Sequence, residues 1–122
     1  MSYTLRVRGI EIGTSDLEFF DSRLGIAHGG FRPSAGYGLV QEVFRSFTEA
    51  LSPVADDPAE GVRLERYLQV RDALGLDLID ARRHPVGTSA IDISDYSREP
   101  GPQAFEVMVY LDNPDQWPDP AR

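Results

Sequence analysis

The sequence predicts an α+β fold, in which a small antiparallel or mixed β-sheet is covered on one face by a helical hairpin. Three segments alternate apolar and polar side chains with the period of two that a half-buried strand requires. Two other segments repeat apolar side chains at the three-and-four spacing of a helix with one buried face. Because a sheet with one apolar face needs a cover, we expect the two helices to pack on it. The predicted strands are 3–12, 86–93 and 105–111, and the predicted helices are 39–51 and 59–74.

The first predicted strand begins at Tyr3. Tyr3, Leu5 and Val7 alternate with polar residues, and the alternation resumes after Gly9. The glycine therefore marks either a bulge that bends one long strand or a turn between two shorter strands.

A short helix is predicted to follow this strand. Ser15 and Glu18 have the spacing of a capping box, in which both side chains accept hydrogen bonds from the free backbone N–H groups of a first helical turn. Gly25 is placed to end the helix. Apolar side chains share one face of this predicted helix: Leu17, Phe20 and Leu24.

Residues 26–38 contain four glycines and a proline, which predicts a loop. The loop leads into a helix, and backbone N–H groups at a helix N-terminus favour an anion. Arg32, Ser34 and Tyr37 are therefore candidate ligand-binding residues. The alternative is a surface connection whose glycines serve turn geometry, with Phe31 and Tyr37 packed against the core.

The helix predicted over 39–51 is the main amphipathic segment of the chain. Its apolar side chains recur at helical spacing and continue just beyond it: Val40, Val43, Phe44, Phe47, Leu51 and Val54. This face must pack against another element, so we expect it to cover the sheet.

The second helix of the predicted hairpin begins with a strong start signal. Asp57 suits the N-cap, Pro58 the first helical position and Glu60 the capping box, while Gly75 suits the C-terminal end. The short linker predicts that the two helices lie antiparallel. The apolar stripe of this helix is predicted to contain Leu64, Tyr67, Leu68 and Leu74.

Residues 76–82 fit either a short strand or a continuation of the helix, and we favour the strand. Arg82, Arg83 and His84 follow as the one basic cluster of an acidic chain. Guanidinium groups bind carboxylate or phosphate in a bidentate manner, so the cluster is a candidate anion site. The alternative is a polar turn that Pro85 ends.

The C-terminal part contains two predicted strands and a proline-rich tail. Asp92 and Asp95 lie at the end of the strand 86–93, and the segment 105–111 is the clearest strand of the chain. We expect residues 1–112 to form a single α+β domain. The tail 113–122 is expected to be held to it by Trp117.

Composition excludes several kinds of chemistry. The chain has no cysteine, so it has neither disulfides nor thiolate nucleophiles. All twelve basic residues are arginine, which excludes Schiff-base lysines and the P-loop lysine. No cofactor motif is present, and we predict none. The remaining chemistry depends on Arg, His, Tyr, Ser, Thr and carboxylates.

The net charge of −8 disfavours nucleic acid and anionic membranes as partners and permits a basic partner. Acidity also serves solubility, and a GC-rich genome favours arginine, alanine, glycine and proline, so the charge has a simpler explanation too. No leader sequence and no apolar run of membrane-spanning length is present. We therefore expect a soluble, cytoplasmic protein.

One functional hypothesis is a small enzyme or binding protein with a pocket. If the 28–38 segment and the basic turn meet at one end of the sheet, they would hold a small anionic or carbonyl-bearing ligand. The candidate catalytic residues are His28, His84 and Asp92. Ligand binding is assigned to Arg32, Ser34, Tyr37, Arg82 and Arg83. A metal held by both histidines and Asp92 is chemically allowed, but no metal-binding motif supports it.

The second hypothesis, which we favour, is an acidic protein-interaction module, such as an immunity-like or inhibitor-like protein that covers a basic surface. Carboxylates on one face would raise the association rate and select the partner. The expected charges are Asp56, Asp57, Asp77, Asp80, Asp92 and Asp95.

Overall fold

The computed structural model describes residues 2–50, 60–96 and 105–117. They form eight strands, two α-helices and two short 3₁₀ helices. The strands are β1 (Tyr3–Val7), β2 (Ile10–Ser15), β3 (Phe19–Asp21), β4 (Ile26–Pro33), β5 (Leu76–Ile79), β6 (Pro85–Val86), β7 (Thr88–Asp95) and β8 (Phe105–Leu111). The helices are α1 (Gln41–Ala50), α2 (Glu60–Leu74) and the 3₁₀ helices Ala35–Leu39 and Pro114–Gln116.

The strands form one sheet that curls into a nearly closed, barrel-like structure. The strand order is β6-β5-β1-β2-β4-β8-β7, with β3 paired to β4, and each of these pairings is antiparallel. β5 and β7 approach each other, which brings the two sides of the sheet together. The predicted α+β fold, a sheet covered by a helical hairpin, is therefore wrong. The sheet buries its apolar face mainly against its own strands.

The core lies inside this curled sheet. Fully buried side chains come from strands around the whole structure: Leu5, Ile12, Leu78, Ile93, Val107 and Val109. α1 contacts β7, α2 and the first 3₁₀ helix, and it adds Phe44 to the core, while Val40 just before it is also buried there. The helices thus complete a core that the strands largely enclose.

The chain turns sharply between β1 and β2. Val7 pairs with Ile10, so Arg8 and Gly9 form a two-residue hairpin loop. Both residues have positive φ angles, 51° and 83°, as a type I′ turn requires. Of the two alternatives for Gly9, the turn is therefore the one observed.

The helix predicted after Ser15 is wrong. The Ser15 hydroxyl does accept a backbone N–H, that of Leu17 at 3.1 Å, but this bond bends the chain out of β2. Leu17 then adopts a φ of 44°, and Phe19 begins β3. Pairing with β4 outweighs the local capping signal because each residue of β3 gains a partner in the sheet.

The loop predicted for residues 26–38 is also wrong, because most of the segment is β4, an interior strand. Its glycine content misled the prediction. Glycine at a strand position often marks a close backbone approach. A Cβ at Gly13 of the neighbouring strand β2 would collide with the Phe31 ring and the Arg32 carbonyl of β4, so a side chain has no space there.

Several other predictions are confirmed. α1 and α2 occupy the predicted helical segments, and Gly75 ends α2 with a φ of 69°. β5, β7 and β8 occupy the remaining predicted strands, and β8 has the bounds expected. Phe31 and Tyr37 are buried. The hairpin linker and the Phe47 side chain lie outside the described part of the chain.

The beginning of the C-terminal tail is packed on the domain, as expected. The Trp117 ring stacks on Tyr3 with ring centroids 4.9 Å apart, and it also approaches Phe20. Leu68 differs from its prediction, because it is exposed rather than part of the buried stripe of α2.

We expect Phe44→Ala to lower the free energy of unfolding by about 3–5 kcal/mol, because it empties a fully buried aromatic site. Leu39→Ala is the control, since Leu39 is largely exposed next to α1. Denaturant titration of both variants checks the expectation. Equal midpoints for the two variants would contradict the assignment of the core.

Gly13→Ala is expected to destabilise the fold by about 1–3 kcal/mol, because the added methyl group collides with the Phe31 ring and the Arg32 carbonyl of the paired strand β4. Gly30→Ala is the matched control, since a Cβ there meets nothing within 4 Å. Thermal melts of the two variants should differ clearly. A melting temperature lowered only by the Gly30 substitution would contradict the close contact of Phe31 and Arg32 with Gly13.

Candidate functional site

A cleft opens beside β4, and residues from both faces of the strand line it. Ala27 and Phe31 of this strand are buried in the core, so alternation directs His28, Gly30 and Arg32 to the outer face. The cleft has a volume of about 500 Å³. It is lined by Glu18, Phe19, His28, Gly29, Gly30, Phe31, Arg32, Tyr96, Phe105 and Glu106.

Strand register explains how these side chains come together. Phe19 of β3 lies opposite His28, and Glu106 of β8 lies opposite Gly30 on the other side of β4. Opposed residues of antiparallel strands share a face of the sheet. The three strands therefore place an aromatic ring, an imidazole and a carboxylate side by side.

His28 is held between its two neighbouring strands. Its ring stacks on Phe19 with centroids 5.3 Å apart, and its Nδ1 lies 3.5 Å from Glu106 Oε1. This contact is an ion pair only when the imidazole is protonated. The stacking on Phe19 and the contact with Glu106 together orient the imidazole within the cleft.

Two adjacent glycines line the cleft and face opposite ways, Gly29 towards the Glu18 side chain and Gly30 towards the face that carries Glu106. The Glu18 side chain lies over Gly29, and its Oε1 accepts a long, 3.5 Å hydrogen bond from the Gly30 N–H. The space above Gly30 is open. A ligand can therefore approach the backbone of β4 closely at this point.

Arg32, the one arginine among the described residues that line the cleft, is already paired. Arg32 Nη2 lies 3.2 Å from Asp16 Oδ1, and Arg32 Nε donates to Thr14 Oγ1 at 3.3 Å. The Arg32 guanidinium lowers the pKa of Asp16. In contrast, the ion pairs of the described ranges include no arginine for Glu18 or Glu106. The cleft thus has an excess of negative charge.

Asp92 of β7 occupies a different, buried site beneath α2. Its Oδ1 accepts hydrogen bonds from the Tyr67 hydroxyl at 2.6 Å and from Arg71 Nη1 at 2.8 Å. Burial, followed by the hydrogen bond to Asp92, raises the pKa of Tyr67. Burial also raises the pKa of Tyr110, which Asp92 raises further. The carboxylate therefore links β7 to α2.

Asp95 lies at the end of the same strand and faces the opposite way. Its Oδ2 accepts a 2.7 Å hydrogen bond from the Tyr37 hydroxyl, and its backbone N–H donates to Thr48 Oγ1 at 2.7 Å. Arg45 Nε lies 3.8 Å from the same oxygen. Burial and this hydrogen bond raise the pKa of Tyr37. Asp95 therefore links β7 to α1.

The structure brings together only two of the predicted site residues, His28 and Arg32, in the cleft. Ser34 donates its hydroxyl proton to the Glu11 carbonyl, and Tyr37 is engaged by Asp95 in the core. Asp92 is held beneath α2. These three side chains do not line the cleft.

The basic cluster lies elsewhere, in the turn between β5 and β6. The backbone N–H groups of Arg82 and His84 both donate to Asp80 Oδ1, and these bonds lower the pKa of Asp80. Arg82, Arg83 and His84 are exposed and do not line the cleft that contains His28. The geometry matches the polar turn that was the alternative for this cluster.

The aspartates that were expected to form an acidic face do not all lie exposed on one surface. Asp92 and Asp95 are buried, with 6% and 4% exposure, and Asp77 is paired with Arg6 at 2.8 Å. Asp56 and Asp57 lie outside the described residues. Buried and paired carboxylates cannot steer a partner as exposed ones do.

The residues that the sequence analysis missed are Glu18, Phe19, Tyr96, Phe105 as a cleft residue, and Glu106. Glu18 was assigned to a helix cap that does not form. Glu106 was recoverable, because it occupies an outward position in the alternation of β8. Phe19 lies outside the apolar stripe of the predicted helix. An aromatic residue outside such a stripe indicates an exposed surface that could contact a partner.

Comparisons with protein-family models, with curated proteins and with solved structures find no match to this chain. Among the described residues, no group of three or more His, Asp or Glu side chains is arranged to hold a metal ion. Neither helix in the described ranges has the length and apolar character needed to cross a membrane. The functional argument therefore depends on the cleft.

The two buried tyrosines predict loss of stability at alkaline pH. Their folded-state pKa lies above the ordinary value of 10.0, so their stabilising effect is complete below that pH. It is lost progressively as the pH rises from 10.0 towards the folded-state pKa, because the unfolded tyrosines ionise first. Urea titrations from pH 8 to pH 11 should show this decline.

Tyr67→Phe should flatten the alkaline decline, and Tyr96→Phe is the control, because Tyr96 is exposed. An alkaline decline of the same slope in Tyr67→Phe and in the unsubstituted protein would show that the Tyr67 hydroxyl is not held as described.

Proposed function

We propose that this chain is an acidic protein-interaction module that binds a basic protein partner, as an immunity-like or inhibitor-like protein does, through the cleft around His28. The observation that carries the proposal is the pair of exposed glutamates that line the cleft, Glu18 and Glu106, for which the described ranges include no arginine partner. The chain as a whole carries a net charge of −8.

Exposed aromatic side chains next to the cleft support a protein partner. Phe19 is 57% exposed and Tyr96 is 43% exposed, and both line the cleft. Phe20 and Leu24, on and just after β3, add further exposed apolar surface. Aromatic groups that a partner buries commonly supply much of the binding free energy of an interface, while surrounding charges select the partner.

Electrostatics support a partner that is basic. Carboxylates at the cleft attract a cationic surface over a distance set by the Debye length, about 10 Å at 0.1 M salt. The same carboxylates repel nucleic acid and anionic membranes. Raising the ionic strength should therefore slow association far more than it speeds dissociation.

A small-molecule site is the second candidate, because His28 and Arg32 line the same cleft. His28 would be its acid–base group and Arg32 its anion-binding group. The charges favour a cation over the small anionic or carbonyl-bearing ligand expected from the sequence. Two glutamates oppose an anion, and Asp16 already neutralises Arg32.

The test compares two double variants that remove equal charge. Glu18→Gln with Glu106→Gln alters the cleft, whereas Glu11→Gln with Glu65→Gln removes two exposed carboxylates that do not line it. A basic protein captured from the native host is measured against both by surface plasmon resonance at low and high salt. We expect the cleft variant alone to slow association several-fold and to weaken its salt dependence.

Failure to capture a basic protein, or equal effects of the two double variants, would contradict the proposal. The second result would mean that only the total charge of the chain matters.

A further inference from the structure

We propose that two copies of this chain associate through the groove between α1 and α2, as a symmetric dimer in which Glu42 of each copy faces Arg66 of the other. This inference goes beyond the proposed function, because the groove and the cleft around His28 share no lining residue. Three observations carry it: the solvent-open apolar side chains of the groove, the opposite charges of its two sides, and the balance of charge in its lining.

The two helices line the groove with the same spacing. Residues i and i+4 share one face of a helix and residue i+1 lies beside it, so each helix turns one face towards the groove. The groove has a volume of about 400 Å³. Its lining residues are Glu42, Val43 and Ser46 of α1 and Arg66, Tyr67 and Val70 of α2.

Apolar side chains of the groove are open to solvent. Val70 is 43% exposed, and Val43 is only partly buried. Leu39, two residues before α1, adds a largely exposed apolar side chain near the first turn of that helix. The Ser46 hydroxyl donates to the Glu42 carbonyl at 2.9 Å, so this donor stays satisfied if the groove is covered. Covering the groove would therefore remove apolar surface from water without stranding that hydroxyl.

One acidic and one basic side chain belong to opposite sides of the groove. Glu42 of α1 has a side chain that is 78% exposed, and its ion pair within the described ranges is with Arg45 of the same helix, at 3.3 Å. Arg66 of α2 is exposed and has no ion pair with another described residue. An exposed pair such as Glu42 with Arg45 contributes little stability, so Glu42 remains available to a second arginine.

These opposite charges make the groove complementary to a second copy of itself. Rotation about a two-fold axis along the groove places α1 of one copy over α2 of the other, so the contact between Glu42 and Arg66 forms twice. The four helices then pack as a bundle, with Val43 and Val70 of both copies on the inside. A partner of a single charge sign would instead bring a like charge against either Glu42 or Arg66.

The balance of charge in the groove also favours self-association there. The chain carries a net charge of −8, so two copies repel each other over most of their surfaces. The groove lining contains one carboxylate and one guanidinium group, whereas the cleft around His28 has an excess of negative charge. A second copy is therefore accepted at the groove and repelled at the cleft, and the dimer carries two separate clefts.

Sedimentation velocity of the full chain, at concentrations up to the millimolar range, measures the dimer. Glu42→Arg places an arginine against Arg66 of the other copy, and Arg66→Glu places a glutamate against Glu42. Each substitution alone should raise the dissociation constant at least about tenfold, because like charges then face each other at both contacts. Glu42→Arg should do so although it reduces the net negative charge of the chain.

An equimolar mixture of the two single variants is the decisive sample. One chain then presents two arginines and the other two glutamates, so a heterodimer should form although neither variant dimerises well alone. The double variant Glu42→Arg with Arg66→Glu should also restore the dimer. Glu65→Arg is the control, because Glu65 is exposed on α2 and does not line the groove, and it should dimerise at least as strongly as the unsubstituted chain. Thermal melts confirm that each variant is folded.

The outcomes separate this inference from the proposed function. A chain that stays monomeric at every concentration, or dimers that neither single substitution weakens, would overturn the groove as a self-association site and leave the cleft untouched. A mixture that forms no heterodimer, or a Glu65→Arg variant weakened as much as Glu42→Arg, would overturn it as well. Failure to capture a basic protein, together with an intact dimer, would overturn the proposed function alone.

Discussion

Hydrogen bonds that two aspartates of β7 make, some as acceptors and one as a donor, hold both helices to the sheet. Asp92 and Asp95 project from opposite faces of this strand. Asp92 contacts Tyr67 and Arg71 of α2, whereas Asp95 contacts Tyr37 of the first 3₁₀ helix and Arg45 and Thr48 of α1. An aspartate without partners would be costly to bury, so each site is stable only when its donors are in place. The positions of the helices follow from this requirement.

These buried sites also account for the division of the acidic residues into two groups. Asp92 and Asp95 are enclosed and hydrogen-bonded, and they stabilise the arrangement of elements. Glu18, just before β3, and Glu106 of β8 line the cleft beside β4, away from those contacts, and they are exposed. Residues of the same charge therefore have different roles, which depend on the strand and the face that carry them.

The sequence predicts the secondary structure best where the pattern is long and local. β8 alternates without interruption, and α1 and α2 have apolar residues at helical spacing, so these elements are predicted correctly. The short β3 is missed because it is stable only when paired with β4, and its sequence satisfies a helix cap locally. β4 is missed because Gly29 and Gly30 look like loop residues until the strands beside them are known.

Closure of the sheet is a property that the sequence pattern does not contain. Alternation shows that one face of each strand is buried, but it does not show whether helices or other strands bury it. The same limit applies to the candidate site, because its residues come from strands that are far apart in the sequence. His28 and Arg32 were identified by residue type, whereas Glu18 and Glu106 come to line the same cleft only through the pairing of β3 and β8 with β4. His84 and Asp92 were grouped with His28 by chemistry alone, and the topology separates them from the cleft.

The central claim is that the buried aspartates maintain the fold while the glutamates of the cleft are available for binding. It is tested most directly by thermal melts of Asp92→Asn and Glu106→Gln. Asp92→Asn should lower the free energy of unfolding by about 3 kcal/mol or more, because it leaves the Arg71 guanidinium without its buried partner. Glu106→Gln should leave the melting temperature almost unchanged, since exposed ion pairs contribute little. A melting temperature lowered by Glu106→Gln and unaffected by Asp92→Asn would contradict the account.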